Sequence, residues 1–256
     1  MSQMYPHFKV FVVLPAYNAE STLRQTYDDI PKKWIDEVLL VDDASTDNTL
    51  KHAKSLGITT VEHIVNSGYG SNQKTCYQEA VRRGADIIIM VHPDHQYDPR
   101  LVPDMLLPIL RGDADAVFGS RMMEPGGALQ GGMPYWKYIA NKILTLVGNI
   151  VLRLRLTEYH SGFRAYTKEV IDRLPIDMNS DGFVFDTEII IQLKLANLRI
   201  KEVPISTRYF KGASMIGLFP SVKYGLGILY NLTLYCMHVW GVKKIAKFDI
   251  VRNSKL

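Results

Sequence analysis

Cysteine is scarce in this chain of 256 residues, which holds only Cys76 and Cys236. They lie far apart and in no metal-ligand spacing, which excludes a disulfide-stapled fold and a cysteine zinc site. Two free thiols fit a reducing compartment. Charge of one sign is also in short supply. Thirty basic residues against 26 acidic ones leave a formal net charge of +4, too little for a dedicated nucleic-acid binder. It suits a phosphate-bearing ligand or an anionic membrane surface. A mean hydropathy of −0.03 excludes a polytopic membrane protein. Met1 to Lys9 have no basic stretch leading into a long apolar one, so no secretory signal is expected. Internal repeats and low-complexity tracts are missing.

Several ligand templates are missing too. Gly68-Tyr-Gly70-Ser-Asn-Gln73 lacks the third glycine of a dinucleotide fingerprint, and there is no Gly-Lys-Ser/Thr phosphate loop. Asp43 to Asn48 begins like a calcium loop, but Asn48 stands for its glycine and Lys54 for its closing glutamate. Gly212 to Ile216 lacks the second glycine of a nucleophile elbow.

What is present is an ordinary globular composition, 47% hydrophobic and 22% charged, in a chain long enough to bury its own core. Short continuous apolar runs predict buried strands at Val10–Leu14, Glu37–Val41, Thr60–Val65 and Ile87–Val91, with a fifth at Ala114–Gly119. Helical segments are expected from Ser21, from a cap at Ser45 or Thr46, and over Ser71–Arg83 before Gly84. This alternation predicts a mainly parallel α/β sheet, whose ligands sit beyond the carboxyl ends of the strands. Glu124 to Gly132 reads as a Gly-rich loop. Tyr135–Leu154 has helical periodicity, with Ile139, Ile143, Leu146, Val147, Ile150 and Leu154 on one face. A helix near Asp186–Ala196 and a strand at Arg199–Ile205 follow.

The polar residues at the expected strand ends are Pro15-Ala-Tyr-Asn18, Asp42-Asp-Ala-Ser-Thr-Asp47 and His92-Pro-Asp-His-Gln-Tyr-Asp98. Taken singly, each has a plain reading as a turn or a helix cap. His92 and His95 also allow a zinc site, though no third or fourth ligand is in view.

In this order, at successive strand ends, the motifs resemble the family 2 glycosyltransferases, whose nucleotide-sugar-binding fold is GT-A. They are most similar to the branch that transfers sugars to polyprenyl phosphates. The resemblance covers roughly residues 8 to 215. Asn66-Ser-Gly-Tyr-Gly70, Gly119-Ser-Arg121, Ser161-Gly-Phe-Arg-Ala-Tyr166 and Lys201-Glu-Val-Pro204 extend it. It implies a Rossmann-like mainly parallel sheet flanked by helices, with a C-terminal helical extension. It also implies inverting transfer from a nucleotide sugar with Mg²⁺ or Mn²⁺. Residues 1–215 are expected to form the catalytic domain and 216–256 a membrane-facing or subunit-facing tail.

The resemblance assigns nucleotide-sugar binding to Pro15, Ala16, Tyr17, Asp42, His92, Pro93, Asp94 and Arg121. Tyr17 is expected against the base and Asp42 at the nucleoside. The family's metal-binding Asp-x-Asp is His92-Pro-Asp94 here, so the metal rests on Asp94, helped by Gln96. Arg121 would stabilise the diphosphate leaving group. Glu158 stands where an acceptor-side aspartate is usual. It would act as general base toward a hydroxyl, or would orient a lipid phosphate that is already ionised. Arg164 and Arg208 are candidate acceptor-phosphate clamps. Ala19 replaces a common glutamate, and Lys211 is the candidate to replace a lysine missing after Ser214-Met215.

Tyr224 to Val242 holds nineteen residues with no formal charge, followed by Lys243, Lys244 and Lys247. Asn231, Thr233, His238 and three glycines dilute the stretch, so a span, an interfacial helix and an oligomer contact all stay open. The expected enzyme is cytoplasmic and peripheral on the inner membrane face, with no nucleic-acid partner and a homo-oligomer possible. Transfer to a soluble or protein-linked hydroxyl, and a non-catalytic nucleotide-sugar-binding module, are the alternatives.

Overall fold

The structure is a computed structural model that describes residues 8–209 and 217–250. Lys211, Ser214 and Met215 lie outside the described residues. Among those described, β1 (Val10–Ala16), β2 (Glu37–Asp42), β3 (Thr59–Glu62), β4 (Ile87–Met90), β5 (Ala116–Ser120), β6 (Arg164–Thr167) and β7 (Ile200–Pro204) form one sheet. Their order is β3-β2-β1-β4-β6-β5-β7. β3, β2, β1 and β4 are parallel neighbours, as are β5 and β7, while β6 runs antiparallel between β4 and β5.

Every residue of β1 is buried, because both faces of the sheet are covered. Val10, Val12 and Leu14 point into one core, closed by α1 (Leu23–Asp29), α2 (Thr49–Ser55) and α4 (Val102–Leu110). Phe11 and Val13 point into the other. That second core is closed by α3 (Tyr69–Arg82), α6 (Tyr135–Leu152), α7 (Lys168–Arg173), α8 (Phe185–Leu195) and α9 (Leu218–Val239). The period-two alternation of a pleated strand thus divides one apolar run between two cores.

The differences from the expected elements have physical causes. α2 begins at Thr49, after the expected caps, because Ser45 and Thr46 are used elsewhere. The Ser45 hydroxyl accepts from the Asn18 amide at 2.9 Å, and the Thr46 amide donates to Asn18 Oδ1 at 2.8 Å. Asp47 serves the helix instead, accepting from the Thr49 amide at 2.9 Å. α4 escapes a sequence reading because Pro103 opens it and Pro108 lies inside it. β6 escapes because it has only four residues, one of them Arg164. Within the Gly-rich loop, Gly127–Gln130 coil into a short helix, α5.

The 216–256 segment, set apart in the sequence as a tail, supplies Ile228, Leu232 and Phe248 to the same core as α3 and α8. No helix among the described residues is long and apolar enough to cross a membrane.

Candidate active site

A cleft of about 840 Å³ opens beyond the carboxyl ends of β1, β4 and β5, where a mainly parallel sheet leaves room for a ligand. Of the residues expected to bind a nucleotide sugar, Pro15, Ala16, Tyr17, His92, Pro93, Asp94 and Arg121 line it. Gln96 lines it as well. Asp42, Glu158, Arg164 and Arg208 do not.

The nucleotide side is fixed by loops stitched to one another. Asn18 has a left-handed backbone, φ 51°, and is held on both sides by Ser45 and Thr46. The Ala19 amide donates to Thr49 Oγ1 at 2.7 Å. Tyr17 is left 52% exposed, its ring free to meet a flat partner. Asp42 is buried beneath this loop, accepting the Ser45 amide at 3.0 Å through Oδ2. Its neighbour Asp43 lines the cleft instead. That carboxylate takes the amides of Ser67 and Gly68 at 2.8 and 2.9 Å and His63 Nδ1 at 2.7 Å. Asp43 therefore shapes the Asn66–Gly68 loop, a role the sequence motif did not distinguish from that of Asp42.

After β4 the two histidines part company. His95, at φ 56°, turns away to put Nε2 3.0 Å from Asp29 Oδ2. His92 stacks on Tyr69 with ring centroids 5.5 Å apart, and its Nε2 is buried with no hydrogen-bond partner. Burial holds the His92 imidazole below its ordinary pKa, so it is neutral at pH 7. The pair makes no zinc site, and no group of three or more His, Cys, Asp or Glu residues suited to a metal exists among the described residues.

Asp94 is half-buried, with Oδ2 2.8 Å from the Gln96 amide nitrogen. Both side chains line the cleft, and one carboxylate with one amide is a sparse set of ligands. It suits Mg²⁺ or Mn²⁺, which take much of their coordination from waters and a substrate's phosphates, so these residues fit such an ion.

Glu158 departs most from its expected role. Its side chain is fully buried and clamps Arg121. Oε2 accepts the Arg121 backbone amide at 2.8 Å, both oxygens meet the guanidinium, and Asn141 Nδ2 donates to Oε1 at 2.7 Å. Burial pushes the Glu158 carboxyl up. The Arg121 charge and these hydrogen bonds outweigh it, so the group stays ionised below the usual carboxylate range. Both oxygens of this carboxylate face donors, and it does not line the cleft. Its work is to hold Arg121, whose guanidinium also donates to Tyr209 Oη at 2.8 Å and to the His160 carbonyl at 3.3 Å. One Nη1 hydrogen is left over for the cleft that Arg121 lines.

Neither expected acceptor arginine lines the cleft. Arg164 is 1% exposed within the sheet. It donates to the carbonyls of Ser161, Tyr159 and Asp186 at 2.8, 2.8 and 3.2 Å, and lies 3.5 Å from the Asp186 carboxylate. It ties β6 to α8. Arg208 reaches Asp98 at 3.7 Å on the exposed surface. Among the described residues, the cation that lines the cleft beside Arg121 is Lys137 of α6. Burial, and then the Arg121 charge, hold its pKa below the ordinary lysine value.

The sequence also missed His160, Asn141 and Asp186, all in the lining. His160 lies next to Tyr224 of α9, with Nδ1 3.0 Å from its hydroxyl, and burial lowers its pKa to about 4. A legible signal existed only for Asn141, a polar residue interrupting an apolar helical pattern. Around the mouth, Trp136 and Leu144 of α6, Phe183, and Tyr224 of α9 give one wall an apolar surface.

Comparison with known proteins places this geometry among relatives. The model described as Glycosyl transferase family 2 matches residues 11–174. An uncharacterized protein of Methanocaldococcus jannaschii is 32% identical, over 88% of this chain and 91% of its own length. The UDP-N-acetylglucosamine–dolichyl-phosphate N-acetylglucosaminyltransferase of Methanococcus voltae is 27% identical, over 89% and 96% respectively. The undecaprenyl-phosphate mannosyltransferase of Micrococcus luteus is 29% identical over 77% and 83%. Among solved structures, glucosyl-3-phosphoglycerate synthase from Mycobacterium tuberculosis, in complex with Mn²⁺, uridine diphosphate and phosphoglyceric acid, superposes with a TM-score of 0.68. It is 20% identical, covering 90% of this chain and 78% of that one, and shares the fold.

Proposed function

Since the chain belongs to glycosyl transferase family 2, we propose that its cleft transfers a sugar from a nucleoside diphosphate to a polyprenyl phosphate, inverting the anomeric carbon. Relatives named for dolichyl-phosphate and undecaprenyl-phosphate transfer support the acceptor class. The observation that carries it is the state of the carboxylates. Glu158 is sealed against Arg121, Asp186 is engaged by Tyr69, Gln73 and Arg164, and Asp43 by His63, Ser67 and Gly68. Asp94 is the metal residue of this reading. Among the described residues, no carboxylate of the lining is left to act as a base toward a hydroxyl acceptor. A phosphomonoester needs none, since its second pKa is about 6.

The donor's base is seated against Tyr17, and its diphosphate lies toward Asp94 and Arg121. Asp94, with Gln96 turned to present its oxygen, would hold Mg²⁺ or Mn²⁺, which when bound neutralises diphosphate charge. Arg121 contributes a fixed positive charge with one donor to spare, in a wall where Glu158 has already set its orientation, so little reorganisation is needed as the leaving group gains charge. The anomeric C–O bond to the diphosphate breaks, and its electron pair leaves with the nucleoside diphosphate. An oxygen of the acceptor phosphate bonds to the opposite face of that carbon, which inverts it. Lys137 takes the role expected of Arg164 and Arg208, binding the acceptor phosphate. Trp136, Leu144, Phe183 and Tyr224 offer the isoprenoid chain an apolar wall.

Incubation with labelled nucleotide sugars, Mn²⁺ and a short polyprenyl phosphate tests this reading. A lipid-linked sugar phosphodiester is expected. Product only on hydroxyl acceptors would overturn the acceptor class, and donor binding without turnover would overturn the activity.

A further inference from the structure

The chain leaving β7 is tied down along the site by its own backbone. The Ile205 amide donates to the Ser120 carbonyl, at the end of β5, at 3.0 Å. Thr207 forms a bridge with Tyr97, and the Arg208 amide donates to the Gln96 carbonyl at 2.9 Å. The Tyr209 amide then donates to the Gly131 carbonyl, just past α5, at 2.9 Å. Gly131 permits that approach, since a Cβ there would lie 2.3 Å from the Thr207 carbonyl oxygen. These ties fix where the Tyr209 side chain enters the cleft that it lines.

The Tyr209 hydroxyl oxygen accepts Nη1 of Arg121 at 2.8 Å. A phenol that accepts at its oxygen still has one hydrogen to give. Among the described residues no group takes it, and the side chain is only half-buried. Burial raises the Tyr209 pKa above the ordinary phenol value. The Arg121 charge opposes that rise, while Glu158 and then Asp94 add to it. The hydroxyl is therefore protonated at neutral pH, bonded to a fixed guanidinium and close enough to feel the Asp94 carboxylate. The neighbouring guanidinium polarises the O–H bond, which strengthens it as a donor.

We propose that Tyr209 is a catalytic residue whose hydroxyl donates a hydrogen bond to a terminal phosphate oxygen of the departing nucleoside diphosphate. This role rests on the nucleotide-sugar reading above. That reading assigns the diphosphate to Arg121 and Asp94, and the hydroxyl is bonded to the first and feels the charge of the second. As the anomeric C–O bond breaks, its electron pair passes to the terminal phosphate, and the hydrogen bond strengthens as that negative charge grows. No proton moves: the diphosphate leaves as an anion and the phenol keeps its hydrogen. Arg121 thus acts twice, through its own spare Nη1 hydrogen and through the hydroxyl that it polarises.

Tyr209→Phe removes one oxygen, and calorimetry of the full chain with UDP, GDP and the matching monophosphates, all with Mn²⁺, reads the result. The diphosphate that the wild type binds should lose roughly tenfold or more in affinity. Its monophosphate, which lacks the terminal phosphate, should change by less than about twofold. In turnover, kcat should fall roughly 10–100-fold with KM for a short isoprenyl phosphate nearly unchanged. Tyr209→3-fluorotyrosine separates donation from mere support of Arg121, because fluorine makes the hydroxyl a better donor and its oxygen a poorer acceptor. Donation predicts diphosphate affinity at or above the wild-type value, and support alone predicts a lower one. Equal losses of monophosphate and diphosphate, weaker diphosphate binding by the fluorinated chain, a raised KM for the isoprenyl phosphate with kcat unchanged, or no binding of either diphosphate would each overturn the proposal. A diphosphate-selective loss without transfer to any lipid phosphate would refute the acceptor assignment and leave Tyr209 in its role. Wild-type kcat and diphosphate affinity in Tyr209→Phe would do the reverse.

Discussion

Glu158→Gln separates a positioning carboxylate from a catalytic base. Each Glu158 oxygen faces donors only: Oε1 meets the Arg121 guanidinium and Asn141 Nδ2, and Oε2 meets the Arg121 backbone amide and Nε. A glutamine must point its NH₂ at one of these donors, and it leaves the buried Arg121 charge without a counter-ion. Breaking a buried ion pair from one side costs about 3–5 kcal/mol, so denaturant unfolding should show a loss of that order. Arg121→Met/Glu158→Met, which removes both charges, should recover at least half of the lost stability and none of the activity. Kinetically, Glu158→Gln should lower kcat by misplacing Arg121, while the acidic limb of the pH–rate profile stays where the acceptor phosphate sets it. A stability loss under about 1 kcal/mol, or an acidic limb that vanishes in the variant, would refute the positioning role.

Asp94→Asn should lower turnover on the order of 10²–10³-fold and abolish Mn²⁺-dependent tightening of nucleotide binding, read by calorimetry, with an unchanged melting temperature. Lys137→Ala should raise KM for the polyprenyl phosphate while leaving KM for the donor within a factor of two or so. His160 titrates at about 4 in the folded chain because burial disfavours its charged form, against about 6.5 unfolded. Its contribution is therefore complete above pH 6.5 and is lost as pH falls toward 4, about 2 kcal/mol between pH 7.5 and 5. Urea unfolding of wild type against His160→Gln over that range should show the wild type falling more steeply. Gly162→Ala would place a methyl group 2.4 Å from His92 Nε2, displacing the ring at a cost of about 1–3 kcal/mol and weakening donor affinity in a binding titration.

Much of the fold was legible because β1, β2, β4 and β5 are plain apolar runs and their turns carry polar motifs. β6 and α4 were not, since a four-residue strand beginning with arginine and a helix with internal proline break the local patterns. Within the site, Pro15, Ala16, Tyr17, His92, Pro93, Asp94 and Arg121 could be named because the motifs that hold them resemble those of the family, and the structure sets them in the lining of one cleft. The acceptor side could not be read that way. Whether Glu158 or Arg164 faces a cleft or a core depends on how α6 and α8 pack across β6, and a motif carries no such information. The stripe on α6 shows the same limit: its period announces a helix, but not whether water, protein or lipid covers it.

The most direct test of the central claim compares two acceptors that differ only in the phosphate. A short isoprenyl phosphate and the corresponding isoprenol, each offered with a labelled nucleotide sugar and Mn²⁺ at pH 7.5, report whether the cleft needs an acceptor already ionised. The account predicts a glycosyl phosphodiester from the phosphate and no product from the alcohol. Comparable transfer to the alcohol would show a base at work in the cleft and contradict it.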